Sequence, residues 1–273
     1  MAFGFASSGR EMWEKVCIFA FVMRNYVRRV VRWILCLAAI FFILSVAWVV
    51  AYKFINPPVT LLMLMKQTPG TDSVSRRPEK LERQEASERL EMPDGPRVWL
   101  PLDSVPYSLQ LAVLVAEDFH FLEHHGIDME AIRRAVAYNK ANPGKPHMGG
   151  STITQQTAKN VFLWPQRSWI RKGLEGYFTL LIELFWGKER ILEIYLNVIE
   201  TGPGIYGMDA AAHKYFNKEV RSLTKTESVL IAAILCNPVK YDPRHPNDLI
   251  NWKKDDILYN MTKFGRYPVF TGE

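Results

Sequence analysis

Residues 117 to 125, EDFHFLEHH, hold one Asp, two Glu and three His within nine positions. Three readings compete for them. His120, Glu123 and His124 spell the inverted zincin pattern H-x-x-E-H, which on a helix sets two imidazoles one turn apart with a carboxylate base beside them. That reading makes the chain a membrane-anchored zinc peptidase. It requires the helix to persist to His124, although His125-Gly126 marks a helix end, and a third ligand that no acidic cluster downstream supplies. The second reading rests on Glu117, which closes the apolar run SLQLAVLVA. Apolar packing on one side disfavours the charged form, raises the pKa and suits the group to accept a proton near neutral pH. The third reading is a charged, solvated helix end with no chemistry.

Downstream stretches supply company for Glu117. GGSTITQQTAKN, residues 149 to 160, is glycine-rich and then dense in hydroxyls and amides. Thr152 and Gln155 have capping-box spacing, so a helix starts here with free amide donors, an arrangement that attracts phosphate. The plain alternative is a well-capped helix. In RSWIRKGLE, Arg171 and Glu175 fall one helical turn apart with Lys172 alongside. Flanked by cations, Glu175 suits holding a cation or orienting a base; the alternative is a surface salt bridge. VFLWPQRSWIRK mixes Phe162, Leu163, Trp164 and Trp169 with Arg167, Arg171 and Lys172. Aromatics among bases suit a surface dipping into lipid headgroups, while the start of a core helix is the alternative.

These groups need elements to hold them, and the pattern is helical. SLQLAVLVAED is apolar nearly all round and predicts a buried helix. Asp128 can cap MEAIRRAVAYNK, and NPGKPHMGG reads as a loop. SWIRKGLEGYFTLLIELF, KERILEIYLNVIE, MDAAAHKYF and TKTESVLIAAIL all space apolar residues by three and four, and alternating strand patterns are scarce. The fold class is mainly α.

Upstream, WILCLAAIFFILSVAWVVAY, residues 33 to 52, carries no formal charge. It matches the ~20 residues that cross a bilayer as a helix and is too long and too late for a signal-peptide core. Lys15, Arg24, Arg28, Arg29 and Arg32 precede it, whereas Lys53 and Lys66 follow closely, so the N-terminus faces the cytoplasm. VCIFAFVM is too short to span and predicts a juxtamembrane helix lying on anionic lipid. The net charge of +6 is unevenly spread, and its basic cluster beside the span assigns it to lipid, with no nucleic-acid partner. The organisation is a basic cytoplasmic segment 1–32, a transmembrane helix 33–52, a juxtamembrane segment and linker 53–97, and a catalytic domain 98–273. Cys236 ends the apolar run VLIAAILC and reads as a buried thiol.

The motifs together resemble glycosyltransferase family 51. EDFHFLEHHG is similar to its E-D-x-x-F-x-x-H-x-G, GGSTITQQ to its second motif without a departure, RKGLE to its R-K-x-x-E and KERILEIYLN to its K-x-x-I-L-E-x-Y-L-N. GPGIYGMDAAAHKYF is similar to its fifth. Five motifs in order over roughly residues 98 to 240 make the resemblance specific, and it is closer to the monofunctional members than to bifunctional penicillin-binding proteins. SLTK, residues 222 to 225, fits the transpeptidase pattern S-x-x-K, but the other two transpeptidase motifs are absent.

The resemblance implies a lysozyme-like helical lobe with a small membrane-facing subdomain. It implies that lipid II and the growing lipid-linked glycan are substrates, with Glu117 the general base and Glu175 the second essential carboxylate. Lys159, Arg171 and Lys172 would lie near the pyrophosphate, and Ser151, Thr152, Gln155, Gln156, His124 and Asn197 would hold substrate. No cofactor is required, although a divalent cation, Mg²⁺ or Mn²⁺, could sit at Glu175. The implied place is the bacterial inner membrane, single-pass, with a periplasmic catalytic domain and partners among cell-wall synthesis or division proteins. A non-enzymatic membrane scaffold is the third class, and it leaves the two carboxylates and the glycine-rich loop without a use.

Overall fold

The computed structural model describes residues 5–67, 98–144 and 148–264. It divides into two units, Met1–Trp48 and Val49–Glu273. The expected linker over 71–97 lies outside the described residues.

The first helix, α1 (Phe5–Phe54), runs without interruption. The juxtamembrane run and the span are one continuous helix. Arginine is a good helix former, so Arg24 to Arg32 lengthen the helix instead of ending it. Met23–Phe54 is long and apolar enough to cross a membrane. Trp33, Leu35, Leu37, Ile43 and Leu44 are all exposed along it, as side chains facing lipid must be. A core helix in water could not leave so many large apolar groups uncovered.

The second unit begins earlier than residue 98. The indole Nε1 of Trp186 donates to the Val49 carbonyl at 2.8 Å. Arg190 donates from Nη2 to the carbonyls of Tyr52 and Ile55 at 3.0 and 3.1 Å. The Tyr52 carbonyl is one that the helix C-terminus leaves without an intrahelical partner, and Arg190 satisfies it. After the turn comes α2 (Leu61–Gln67), whose Leu62 and Met63 are buried.

Among its described residues the second unit is helical except for one short hairpin. Its described elements are α3 (Tyr107–Glu117), α4 (Met129–Ala141), α5 (Ile153–Phe162), α6 (Trp169–Phe185) and α7 (Lys188–Val198), then β1 (Glu200–Gly202) antiparallel to β2 (Ile205–Tyr206), and finally α8 (Met208–Phe216), α9 (Lys225–Ile234) and α10 (Asp248–Lys263). The centre of α3 is buried from Leu109 to Leu114 and packs on α9 and α10. A second group forms around α5, which packs on α6, α7 and α2. Phe162 stacks on Phe178 at 4.7 Å between centroids. Phe162 and Leu163 therefore belong to the core, against their reading as headgroup-facing, because they lie on the side of α5 that meets α6. Trp169 at 92 % exposure and Ile170 do face outward.

Backbone 98 to 102 is tied to α7. Asn197 accepts from the Leu100 amide at 2.9 Å and donates Nδ2 to the Leu100 carbonyl at 2.8 Å. Glu193 accepts from Trp99 Nε1 at 3.0 Å. Both residues come from the ILEIYLN motif, and both spend their side chains on the scaffold. Cys236 is exposed. The helix stops at Ile234, so the thiol lies past the buried run and not within it.

Candidate active site

The helix that carries Glu117 ends there, and Asp118 turns the chain with ψ of 76°. Asp118 is buried and accepts from His124 Nε2 at 2.9 Å and from the Ile153 amide at 2.9 Å. The Gly126 amide donates to His124 Nδ1 at 3.0 Å. That donor fixes Nδ1 as the acceptor nitrogen, so the proton on Nε2 points at Asp118. Gly126 itself has φ of +87°, and a Cβ there would lie 2.6 Å from Thr179, so only glycine fits. Its carbonyl accepts from Thr152 Oγ1 at 2.6 Å. Thr152 and Gln155 complete the capping box that opens α5.

This network holds several of the predicted residues. Thr152 and Gln155 are buried and His124 is half-buried; Thr152 and Gln155 cap each other's backbone amides, while His124 is held between Asp118 and the Gly126 amide. They set the start of α5 against the end of α3. His120 turns the other way, its Nδ1 3.3 Å from Asp128. Asp128 caps α4 through the Ala131 amide. The helical geometry that the zincin pattern requires is absent, and His120 and His124 serve different carboxylates.

The start of α5 thus brings Gln156 to Glu117. Gln156 Nε2 donates to Glu117 Oε2 at 2.8 Å, and Gln156 Oε1 accepts from the Tyr195 hydroxyl at 3.4 Å. Tyr195 is fully buried, and burial followed by the nearby carboxylates of Glu117 and Asp118 pushes its phenol well above its usual range. It stays an O–H donor, which fixes the Gln156 amide with its NH₂ toward Glu117. Burial is also the main influence on Glu117 and raises its pKa; the Gln156 hydrogen bond, Lys253 and Lys159 oppose this, and Asp118 adds to it.

On the other side of the α5 start, Ser151 is exposed and accepts from Lys172 Nζ at 3.4 Å. Lys172 also pairs with Glu175 Oε1. Arg171 Nη1 donates to Glu175 Oε2 at 3.0 Å. Glu175 is 3 % exposed and Arg171 is 9 % exposed, so this is a buried pair and not the surface salt bridge that spacing alone allowed. One helix N-terminus therefore has a raised-pKa carboxylate on one flank and an Arg–Lys–Glu cluster on the other. Glu117, Gln156, Lys159, Ser151 and Lys172 are at least partly open to solvent. Tyr195 and Lys253 were not singled out from sequence. Tyr195 stands in a recognised motif, but WKKDD around Lys253 reads as a solvated helix face.

A helical lobe that sets a carboxylate of raised pKa beside a cationic helix start has the groups that group-transfer chemistry needs. A protein-family profile described as Transglycosylase matches residues 60–262, and the chain belongs to that family, as a glycosyltransferase. It is 43% identical over 239 residues to the biosynthetic peptidoglycan transglycosylase of Bdellovibrio bacteriovorus, covering 86% of this chain and 87% of that protein. The proteins of that name from Caulobacter vibrioides (43% identical; 84% of this chain, 90% of that one) and Xanthomonas campestris pv. campestris (46%; 80% and 82%) are similar to it as well. The matched region opens at residue 60, which agrees with a compact unit that takes in α2.

Proposed function

We propose that the chain polymerises lipid II into linear β-1,4-linked glycan and carries no transpeptidase activity. The observation that supports this best is Glu117, its burial offset by Gln156, beside a helix start whose other flank carries Arg171, Lys172 and Glu175. In this reading the acceptor sugar 4-hydroxyl gives its proton to Glu117 as its oxygen bonds to the donor's anomeric carbon. The α-linked bond to pyrophosphate breaks, the electron pair leaves with the pyrophosphate, and the centre inverts to β. Lys159, Lys172 and Arg171 offset the charge on the leaving group, where fixed cations act most strongly in a site closed to water. Glu175 keeps Arg171 and Lys172 in place. Both of its oxygens are already paired, so Mg²⁺ or Mn²⁺ would have to displace one of them. No step is routed through a metal.

The test is incubation of the purified protein with labelled lipid II, followed by gel separation. Linear strands digestible by muramidase and free of peptide cross-links are expected, with no labelling by penicillin. Ser222 lies in an exposed 3-10 turn, while Thr224 and Glu227 form the capping box of α9. Covalent β-lactam capture at Ser222 would overturn the monofunctional reading.

The same reading places the catalytic lobe in the periplasm, held to the inner membrane by α1 as a single-pass anchor, with the N-terminus in the cytoplasm. The basic residues before the span support that orientation. A reporter that works only outside the cytoplasm, fused after Glu273, should be active. A well-expressed but silent fusion would reverse the orientation.

A further inference from the structure

Helix α6 carries a further carboxylate that none of the recognised motifs includes. Glu175, Thr179 and Glu183 follow one another at four-residue intervals and so share one side of the helix. Glu183 sits in the last turn of α6, where the helix dipole disfavours negative charge, and its side chain is 10 % exposed. Neither condition favours a carboxylate, so its partners must account for it. Thr154, the second residue of α5, donates its hydroxyl to Glu183 Oε1 at 2.6 Å. Lys188, which opens α7, donates Nζ to the same oxygen at 2.7 Å and to the His124 carbonyl at 2.7 Å. Its ammonium also lies over the Phe121 ring, 4.6 Å from the centroid. The turn through Gly126 rests on the Glu183 stem, since a Cβ on Gly126 would lie 2.8 Å from Glu183 Cγ. The start of α5 is therefore pinned from two sides. The Ile153 amide donates to Asp118, the neighbour of Glu117, and the adjacent Thr154 is held by Glu183, on the helix that carries Arg171, Lys172 and Glu175. We propose that Glu183 is a positioning residue for the transfer: through Thr154 and Lys188 it sets the separation between Glu117 and the Arg171–Lys172–Glu175 cluster.

This role rests on Glu117 being the base. Transfer then needs the acceptor hydroxyl at Glu117 and the donor's pyrophosphate at the cationic cluster to meet at bonding distance and in line. Gln156 follows Thr154 by two residues and donates to Glu117 at 2.8 Å, so the α5 start carries the alignment of the base. A slip of α6 against that start leaves each half of the site intact and spoils only their spacing. Binding of lipid II survives such a slip, and turnover does not. A buried ion pair that serves stability alone is replaceable by apolar side chains at little cost. One that sets a spacing is not.

The experiment measures kcat, lipid II affinity and Tm on the full-length protein in detergent. The variants are Glu183→Gln, Glu183→Met, Thr154→Val and Glu183→Met/Lys188→Met, with Glu117→Gln alongside. Gln keeps an acceptor for Thr154 and Lys188, so Glu183→Gln should stay within about threefold of wild type. Glu183→Met removes that acceptor and should lower kcat about ten- to a hundredfold, the scale of a small misplacement of reacting groups, with affinity unchanged. Thr154→Val removes only the hydroxyl and should lower kcat about three- to tenfold at a near wild-type Tm. In Glu183→Met/Lys188→Met no buried charge is left unpaired, so Tm should recover, while kcat stays low because Thr154 and the His124 carbonyl have lost their partners. Recovery of kcat together with Tm overturns the proposal, since the pair then only holds the fold. Wild-type kcat in both Glu183→Met and Thr154→Val overturns it as well, and so does a loss of affinity that matches the loss of kcat. If Glu117→Gln is inactive while the Glu183 and Thr154 variants turn over normally, only the role of Glu183 falls. If Glu117→Gln keeps its turnover, the base assignment fails and takes this inference with it.

Discussion

Glu117→Gln should lower turnover about 10²- to 10⁴-fold, the usual worth of general-base catalysis, while leaving the fold as stable as before or more so. The two halves have one cause. Burial raises the Glu117 pKa in the folded protein. A group whose folded pKa is raised contributes stability below its unfolded pKa, and that contribution is lost as pH rises through the folded value. At neutral pH, then, an ionised Glu117 is a cost to folding. Gln has no charge to desolvate and can still accept the Gln156 hydrogen bond through Oε1. Thermal unfolding at pH 7.5 should give a Tm equal to or above wild type, with the difference closing toward about pH 4, near the ordinary Glu value. Lipid II affinity should be retained, because the amide can hold the same sugar hydroxyl. Near wild-type turnover would remove Glu117 from the mechanism. A Tm far below wild type would mean that its role is structural.

What could be read in the sequence was what fits within one or two helical turns. The Asp128 cap, the Thr152–Gln155 box and the Arg171–Glu175 spacing each depend on residues three or four apart, and each is present. Direction was harder. VFLWP gives no sign of which side of α5 meets α6, and Phe162 and Leu163 turned inward although their neighbours include bases. Motif membership also says that a residue matters without saying how. His124 and Asn197 sit at positions matched to the family's substrate-handling motifs, yet Asn197 is buried, His124 is half-buried, and both are bonded to backbone. Their work is to fix Asp118 against the α5 start and residue 100 against α7. Long-range partners left no local trace. Trp186 meets the Val49 carbonyl 137 positions away, and no pattern around either residue announces it.

Glu175→Leu should abolish turnover and cost about 3–5 kcal/mol of stability, because it strips a buried cation of its partner. Arg171 is the cation. Its Nη1 bonds Glu175, and among the described residues its buried Nε has no partner, so little else compensates its charge. Lys172 is half-exposed and can turn to solvent, which leaves Arg171 as the main source of the cost. A stability loss alone would not prove a catalytic role. The double variant Arg171→Met/Glu175→Leu separates the two, since replacing a buried ion pair by apolar side chains of similar volume is often neutral or stabilising. Its Tm should return close to wild type. Its turnover should not, because the pyrophosphate then meets no guanidinium, and affinity for lipid II should fall with the rate. Glu175→Gln keeps an acceptor for Arg171 and should lie between wild type and Glu175→Leu in stability, with pyrophosphate binding altered by the lost charge. The measurements are Tm, turnover and lipid II affinity for all three variants. If the double variant regained turnover along with its Tm, the cluster would be a structural pair, and the cations for the leaving group would have to be Lys159 and Lys172 alone.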